Sequence, residues 1–301
     1  MSNPAVLRNS VCAVIVTYFP ELNLTELVQQ LLPQVAKIFI IDNTPQSTIH
    51  RCLTAFQDMP EVVIKKNKTN LGIATALNQG LEFASNGSYQ WILTLDQDSR
   101  CEPELVNTLL QVAMTCSPQP MIVGSNYFDP RSKQTKVRTG EAATFLEQKT
   151  VITSGSLVDV LLATAIGRFR EDYFIDQVDH EFCLRARAHG HTVVISRKPL
   201  LIHSVGLSGG VRLPFLGVLP NHAPLRKYYI ARNTVVTIAT YWRHEPEWCL
   251  RRLVRMVLGL AEMAILERHR FLKIRAFAEG VTDGMHRSMG PCQRRWLTNQ
   301  R

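Results

Sequence analysis

Several signals that would assign this 301-residue chain to a common class are absent from its sequence. The seven cysteines are scattered and form no CxxC pair, which argues against a disulfide framework or a cysteine-rich zinc site. No apolar run is long and uncharged enough to span a membrane, and residues 1–10 lack the apolar core of a signal peptide. We therefore expect reduced thiols and a cytoplasmic location.

Two nucleotide-binding signatures are missing as well. No GxGxxG follows the first predicted strand and no Walker motif occurs, so neither a dinucleotide-binding fold nor a P-loop enzyme is expected. The composition is that of a globular protein, with 46 % hydrophobic and 20 % charged residues. The net charge is +9, and much of the excess lies after residue 225. Because no nucleic-acid recognition module is present, a phosphorylated substrate or an anionic membrane surface remains as the partner.

The most informative stretch is an apolar run that ends in two carboxylates. Residues 91–95 have the length and composition of a buried strand, and Asp96 and Asp98 follow them. In extended geometry both side chains point the same way, at the strand end where open α/β sheets place ligands. Two crowded carboxylates suit Mg²⁺ or Mn²⁺, with a diphosphate supplying further oxygens. The alternative is a solvated loop in which Asp98 and Ser99 cap the next helix.

Predicted strands and helices alternate through the first 124 residues. The strands are predicted at residues 11–17, 37–43, 62–64, 91–95 and 121–124. The helices are predicted at residues 21–32, 47–56, 72–84 and 103–116. This alternation indicates βαβ units with right-handed crossovers and a mostly parallel, doubly wound sheet.

The pattern changes after residue 124. It predicts a polar insertion over 126–148, then helices over 157–166 and from about 174 to 189. Strands follow over 192–195 and 201–203, then a mobile loop over 206–224 and helices over 223–241 and 245–278. No clear linker is visible. The simplest division is a core domain over residues 1–220 and a helical extension over 221–301.

Two polar elements follow strands or open helices in the first half. Asp42 and Asn43 end the second strand, where a carboxylate can accept hydrogen bonds from a base or ribose, or where the pair can simply form a turn. Asn70 precedes a helix, so it either caps that helix or faces phosphate together with the helix N-terminus.

The second half contributes acids and a histidine. Asp176, Asp179 and Glu181 precede Arg185 in the first turn of a predicted helix. They either stabilise the helix by interacting with the positive end of its macrodipole, or they supply a general base that takes a proton from an acceptor hydroxyl. His203 ends a strand before a glycine-rich loop and is either structural or a further metal ligand.

In this order, the segments resemble family-2 glycosyltransferases with the GT-A fold, and within them the bacterial L-rhamnosyltransferases. Residues 14–18 are similar to the opening strand, 41–44 to the "VDN" element, 70–80 to the "N-x-G-x-a…N-x-G" helix and 95–99 to the Asp-x-Asp metal motif. The resemblance covers nearly the whole chain. It implies nucleotide-sugar binding by Thr17, Tyr18, Asp42, Asn43, Asn70, Gly72, Asn78 and Asp96. It implies metal binding by Asp96, Asp98 and His203.

Two later segments extend the resemblance. Residues 174–185 are similar to the "E-D-x-D-l-c-l-R" segment in its rhamnosyltransferase variant "F-I-D-x-V-D-x-E". Counting back from Arg185 implies that Asp179 is the catalytic base, with Asp176 and Glu181 as possible second acids. Residues 221–233 are similar to the subgroup's "h-x-P-x-R-x-Y-Y-x-x-R-N" run. The implied acceptor or loop contacts are Ser154, Gly155, Arg226, Tyr229, Arg232 and Asn233.

The resemblance implies an inverting transfer from dTDP-L-rhamnose with Mg²⁺ or Mn²⁺ as cofactor. The acceptor is either a lipid-linked glycan of O-antigen or another cell-surface polysaccharide, or a monorhamnosyl hydroxyalkanoate that becomes a dirhamnolipid. A hypothesis of another class is a non-catalytic nucleotide-sugar-binding protein. The joint presence of Asp96, Asp98 and Asp179 argues against it.

The basic segment over residues 248–274 leaves two interpretations open. Residues 248–274 mix apolar positions with six cations and are interrupted by Glu262 and Glu267. They form either an amphipathic helix pair on the inner face of the cytoplasmic membrane, or a packed helical subdomain with a solvated basic face.

Overall fold

A computed structural model describes residues 8–45, 51–130, 133–140, 143–202, 211–213, 217–219 and 222–298 of the chain. Within this part, ten strands form one twisted sheet. Their spatial order is β3 (Val62–Lys66), β2 (Lys37–Asp42), β1 (Val11–Thr17), β4 (Trp91–Asp96), β9 (Ser156–Asp159), β6 (Ile122–Asp129), β10 (Val193–Ile202) and β5 (Arg100–Cys101), with β7 (Gln134–Thr135) beside β6 and β8 (Phe145–Glu147) beside β10. The apolar faces of the sheet bury two separate hydrophobic cores, one on each side. Helices cover both faces, as continuous apolar strands require.

The first half of the sheet follows the predicted alternation. Its strands are β1 (Val11–Thr17), β2 (Lys37–Asp42), β3 (Val62–Lys66) and β4 (Trp91–Asp96), and all are parallel. Its helices are α1 (Asn23–Leu31), α2 (Arg51–Thr54) and α3 (Ile73–Asn86). The predicted helix over 47–56 lies partly outside the described residues. The carboxyl ends of β1 and β4 are neighbours, so the side chains that follow them converge.

The second half adds the remaining strands and two helices. They are β5 (Arg100–Cys101), α4 (Leu105–Thr115), β6 (Ile122–Asp129), β7 (Gln134–Thr135), β8 (Phe145–Glu147), β9 (Ser156–Asp159), α5 (Val160–Ala165) and β10 (Val193–Ile202). Strand β10 runs parallel to β6. Strand β9 runs antiparallel between β4 and β6, so the sheet is mostly parallel with one reversed central strand.

The predicted helix over residues 157–166 is wrong in its first half. Ser156–Asp159 is strand β9, and only Val160–Ala165 is helical. The run is apolar because β9 is a central strand covered on both faces, and a short apolar run does not distinguish strand from helix. Asp159 marks the change, since its Oδ1 accepts a hydrogen bond from Leu162 N at 2.8 Å and caps α5.

Two predicted strands near residue 200 are one strand. Pro199 interrupts the apolar pattern, but β10 continues through it with shifts of register against β6 on either side of Pro199. The predicted loop over 206–224 contains a short antiparallel hairpin, β11 (Val211–Leu213) and β12 (Gly217–Leu219). His203 lies outside the described residues.

Apart from strands β10, β11 and β12, the described elements after residue 170 are helical. After a 3₁₀ turn at Glu171–Tyr173, the helices are α6 (Val178–Ala188), α7 (Pro224–Tyr241), α8 (Pro246–Leu266), α9 (Arg270–Met285) and α10 (Arg295–Thr298). The stretch predicted as helical over 245–278 breaks before His269, which has a φ of +55°. Among the described helices, none combines the length and apolar character needed to cross a membrane.

Helix α7 binds the extension to the core. Arg232 is fully buried and donates to the carbonyls of Tyr173 at 3.1 Å and Gly290 at 2.6 Å. Asn233 donates to the carbonyls of Tyr173, Ile175 and Asp176 at 2.8–3.0 Å. The helical extension is therefore hydrogen-bonded to the segment that carries the predicted catalytic acids. The domain boundary at residue 220 stays a prediction.

Candidate active site

A cleft of about 720 Å³ opens at the carboxyl ends of β1 and β4. The residues that line it come from both halves of the chain and are Val16, Thr17, Tyr18, Glu21, Asn23, Asn43, Asn70, Gly72, Ile73, Asp96, Gln97, Asp98, Phe174, Ile175, Ala223, Leu225, Arg226 and Tyr229. Nine of the predicted site residues are in this set, although they come from distant parts of the sequence. This is the edge of the sheet at which α/β folds bind ligands.

Asp96 and Asp98 lie in the same cleft, as the Asp-x-Asp spacing predicts. Asp96 is half-buried at the end of β4, and Asp98 is exposed. Within the described part of the chain, no histidine, cysteine or further carboxylate joins Asp96 and Asp98 to form a group of three metal ligands. Two hard carboxylates that open onto a ligand-sized cleft still fit a cation that keeps waters and takes substrate oxygens, which is how Mg²⁺ commonly binds.

Gln97, between these two acids, was not identified from the sequence. Its Oε1 accepts a hydrogen bond from Tyr18 N at 2.8 Å, and its Nε2 donates to Tyr18 O at 3.1 Å. This reciprocal pair joins the end of β4 to the end of β1 and fixes the turn that carries Asp96 and Asp98. The middle position of an Asp-x-Asp motif was the only signal for it.

Ser154 stabilises the same turn by hydrogen bonds. It is buried, its Oγ lies 2.7 Å from Ser99 Oγ, and it accepts a hydrogen bond from Asp96 N at 3.2 Å. Gly155 N donates to Thr94 O at 2.8 Å, and Gly155 has a φ of +75°. The structure thus places these two predicted acceptor contacts behind the acidic turn and not on the described lining of the cleft.

Asp42 is fully buried at the end of β2. Its Oδ1 accepts hydrogen bonds from Thr17 Oγ1 at 3.1 Å and Thr44 N at 3.0 Å. Its Oδ2 has no hydrogen-bond partner among the described residues, so one acceptor remains at the carboxyl end of β2. Thr44 Oγ1 also accepts from Phe19 N at 2.8 Å, which ties the turn after β2 to the turn after β1.

Asn43 and Asn70 shape the entrance to α3. Asn43 donates from Nδ2 to Gly72 O at 3.0 Å, and Asn70 Oδ1 accepts from Gly72 N at 2.9 Å. Asn70 therefore stabilises the turn before α3, and Gly72 is the N-terminal flanking residue of the helix. A Cβ on Gly72 would lie 2.5 Å from Phe174 O, so this position with its φ of +86° requires glycine.

Asn78 lies away from the described cleft lining. Its Nδ2 donates to Phe169 O and Glu171 Oε1, both at 2.8 Å, and its Oδ1 accepts from Phe169 N at 2.8 Å. All its polar atoms are thus used to hold the segment before the acids against α3. Its proposed contact with the nucleotide sugar stays a prediction, and this geometry gives it a positioning role.

Asp176 and Asp179 flank the start of α6 on either side of a left-handed turn. Asp176 has a φ of +63°, and its carboxylate accepts from Arg226 Nε at 3.1 Å. Burial raises the pKa of Asp176 to about 6, although the Arg226 charge opposes the shift and the nearby Asp179 adds to it. Asp179 is partly exposed in the first turn of α6 and accepts from His180 N at 2.8 Å.

Glu181 is placed differently from the other two acids. It is 2 % exposed, and its carboxylate accepts from Arg185 Nη2 at 3.0 Å and Tyr241 Oη at 2.8 Å. Burial raises the pKa of Glu181, and Arg185 and Tyr241 oppose the rise. Since both oxygens are engaged and the side chain is buried, this geometry gives Glu181 the role of joining α6 to α7. Its role as a possible second acid stays a prediction.

The four residues predicted from the α7 motif divide into two pairs. Arg226 and Tyr229 line the cleft, and Tyr229 stacks on Phe174 with ring centroids 5.3 Å apart. Arg232 and Asn233 are buried and hydrogen-bond the backbone of the acidic segment, so they position it.

Comparison with known proteins identifies the family of the chain. Residues 12–173, more than half of the chain, match the family described as "Glycosyl transferase family 2". The chain is 28 % identical over 244 residues to the dTDP-rhamnosyl transferase RfbF of Shigella flexneri, covering 77 % of this chain and 81 % of that protein.

Solved structures show the same fold at low sequence identity. S. aureus TarS 1–349 in complex with UDP-GlcNAc has a TM-score of 0.59 and 14 % identity, over 90 % of this chain and 81 % of that one. GalNAc-T7 with UDP, GalNAc and Mn²⁺ has a TM-score of 0.61 and 11 % identity, over 92 % of this chain and 56 % of that one. The GT-A fold expected from the sequence is confirmed. The chain belongs to glycosyl transferase family 2 and is a glycosyltransferase.

Proposed function

We propose that this glycosyltransferase moves L-rhamnose from dTDP-L-rhamnose, with inversion, to a hydroxyl of a lipid-linked glycan in O-antigen or other cell-surface polysaccharide assembly. The similarity to the S. flexneri dTDP-rhamnosyl transferase supports the donor. The observation that carries the proposal is that one cleft collects Asp96 at the end of β4, Asp98 in the following turn and Arg226 on α7. Carboxylates for a cation and a guanidinium for phosphate are what a nucleotide diphosphate sugar needs.

The donor half of the mechanism belongs to the ends of β1, β2 and β4. Thr17, Tyr18 and Asn43 are assigned to the nucleoside, and Arg226 to the diphosphate. Asp96 and Asp98 would hold a divalent ion, Mg²⁺ or Mn²⁺, which when bound supplies charge neutralisation for the leaving diphosphate. The Tyr18–Gln97 hydrogen bonds keep this region in place before the donor arrives, so little reorganisation is needed.

The acceptor half of the mechanism is assigned to Asp179. Its carboxylate takes the proton of the acceptor hydroxyl while that oxygen attacks the anomeric carbon from the face opposite the nucleotide. The new glycosidic C–O bond forms as the bond to the diphosphate breaks, and dTDP leaves with the electron pair. An inverting glycosidase uses the same arrangement with water as the nucleophile. Asp176, held by Arg226, is assigned to positioning because its carboxylate is already engaged.

The acceptor implies where the protein works. A lipid-linked glycan lies at the inner face of the cytoplasmic membrane, so we propose a cytoplasmic protein that is peripheral to that surface. A monorhamnosyl hydroxyalkanoate would require the same location, and acceptor assays separate the two. A non-catalytic nucleotide-sugar-binding protein would bind dTDP and fail in both assays.

The first experiment is a thermal shift assay with dTDP, UDP and GDP, each with and without Mg²⁺ or Mn²⁺. A ligand at 100 times its Kd adds roughly 2.7 kcal/mol of stability. We expect the largest shift with dTDP and metal, followed by sugar transfer from dTDP-L-rhamnose to extracted lipid-linked glycans. A preference for UDP would overturn the donor assignment, and no shift with any nucleotide would contradict the proposed site.

A further inference from the structure

Helix α8 presents its apolar side chains to solvent. Of its 21 residues, Cys249 and Met263 are the buried ones, and both lie on the inner face. Large hydrophobic side chains are exposed on the other face, among them Val257 at 63 % and Ile265 at 73 %. The full exposed set is Leu250, Leu253, Val254, Val257, Leu258, Leu260 and Ile265. A packed helical subdomain with a solvated polar face would have the opposite arrangement.

The exposed side chains form one continuous stripe. Positions 250, 254, 257, 261 and 265 follow the helical repeat along a single face, and 253, 258, 260 and 264 widen it. From Leu250 to Ile265 the stripe is about 22 Å long at 1.5 Å per residue. The next helix, α9, begins with a further exposed apolar side chain, because Phe271 is 77 % exposed. Such a contiguous apolar surface marks an interaction site.

Positive charge surrounds the stripe. Residues 243–275 contain eight lysines and arginines but four carboxylates. Arg251 and Arg255 lie beside the stripe and are paired with Glu247 and Glu262 on the same helix. Arg268 and Arg270 are exposed at its C-terminal end, and Arg270 lies 5.4 Å from the Phe271 ring. Leucines and a phenylalanine bordered by arginines are typical of helices that lie in the headgroup region of a bilayer.

We propose that the outward face of α8, together with Phe271, docks the protein on an anionic membrane surface. Charge complementarity favours anionic lipid over a second copy of the protein as the partner of this face. The chain carries a net charge of +9 and the 243–275 segment an excess of cations, so two copies of this face repel each other while anionic lipid attracts it. The apolar side chains enter the boundary between headgroups and acyl chains, and the arginines remain among the phosphates.

The inner face of the same helix contacts the acidic segment. Arg252 donates to Gln177 Oε1 at 3.1 Å, and the Trp248 ring lies 5.7 Å from the His180 ring. Gln177 and His180 flank Asp179, the proposed base. One helix therefore separates the membrane face from the acceptor side of the site. This part of the inference rests on the proposed function, because it gives a lipid-linked acceptor a short route to the base.

The test is flotation of the purified full chain with vesicles of phosphatidylcholine, with or without phosphatidylglycerol. We expect the wild type to float with anionic vesicles at low salt. Val257→Glu should lower the bound fraction about tenfold or more, because it removes apolar contact and adds a repelled charge. Leu161→Glu makes the same change at Leu161 on α5, which is 77 % exposed against 63 % for Val257, and should leave flotation unchanged. Arg268→Gln with Arg270→Gln should weaken binding to anionic vesicles alone.

Wild type that stays unbound at low salt, or Val257→Glu that floats like wild type, would overturn the inference. A wild-type dimer in light scattering that Val257→Glu converts to a monomer, without vesicle binding, would assign the face to a second copy. The dTDP thermal shift of each variant shows that it is folded. Flotation without rhamnosyl transfer would reject the proposed function and leave the docking surface standing.

Discussion

Arg226 Nε on α7 lies 3.1 Å from Asp176 Oδ1, in the turn that precedes the proposed base. Arg226 also lines the cleft between the strand ends and α7. A diphosphate in that cleft and the Asp176 carboxylate would therefore share one guanidinium. This relationship couples the donor side of the site to the acid segment and makes Asp176 sensitive to both pH and ligand.

We expect Asp176 to make the fold less stable as pH rises from about 4 to about 6. Its pKa is raised from 3.8 to about 6, so in this range the folded state binds the proton and the unfolded state releases it. Asp176→Asn removes that titration. The unfolding free energy of the variant relative to wild type should therefore increase with pH over this window, as urea denaturation at several pH values would show. A constant difference between the two proteins would contradict the raised pKa.

Asp179→Asn should abolish transfer and preserve nucleotide binding. Loss of a general base costs about 10²- to 10⁴-fold in rate, while the donor contacts at β1 and β4 stay intact. The measurements are transfer with dTDP-L-rhamnose and the dTDP thermal shift. Asp176→Asn is the matched control, with an acid-to-amide change three residues away. If Asp176→Asn loses transfer and Asp179→Asn retains it, the base is Asp176.

Glu181→Gln should reduce stability more than it reduces the activity of the folded protein. The change weakens the buried contacts with Arg185 and Tyr241 and leaves the Arg185 charge less compensated, at a cost of about 1–3 kcal/mol. Tyr241→Phe removes one of these hydrogen bonds and should cost about 1 kcal/mol. Urea unfolding measures both. A transfer rate per folded molecule that falls as far as in Asp179→Asn would instead place Glu181 in the chemistry.

Gly72→Ala should be much more harmful than Gly140→Ala. Both glycines have a positive φ, +86° and +84°, so both substitutions carry backbone strain of about 1 kcal/mol. The added Cβ at position 72 also lies 2.5 Å from Phe174 O, whereas at position 140 no atom of the described residues lies within 4 Å. We expect a lower Tm and a smaller dTDP shift for Gly72→Ala alone. Equal effects would show that the contact with Phe174 relaxes easily.

The carboxylates at the end of β4 were predictable because an apolar run followed by Asp-x-Asp determines both the strand and its polar end. Strand β9 was not predictable, since residues 156–159 form a strand by pairing with β4 and β6, which are distant in sequence. The Tyr18–Gln97 hydrogen bonds were equally hidden, because they join turns 79 residues apart. The three acids near α6 look alike in sequence. They differ in their burial and in their partners, since Arg226 pairs with Asp176 and Tyr241 hydrogen-bonds Glu181. These differences arise from tertiary packing.

The two faces of α8 also determine the distance between the membrane surface and the proposed base. If its outer stripe rests in the headgroups while Trp248 and Arg252 contact the segment of Asp179, the reacting hydroxyl lies about one helix diameter, about 10 Å, above the lipid. The thickness of α8 would then fix the distance from the bilayer at which an acceptor hydroxyl can be reached.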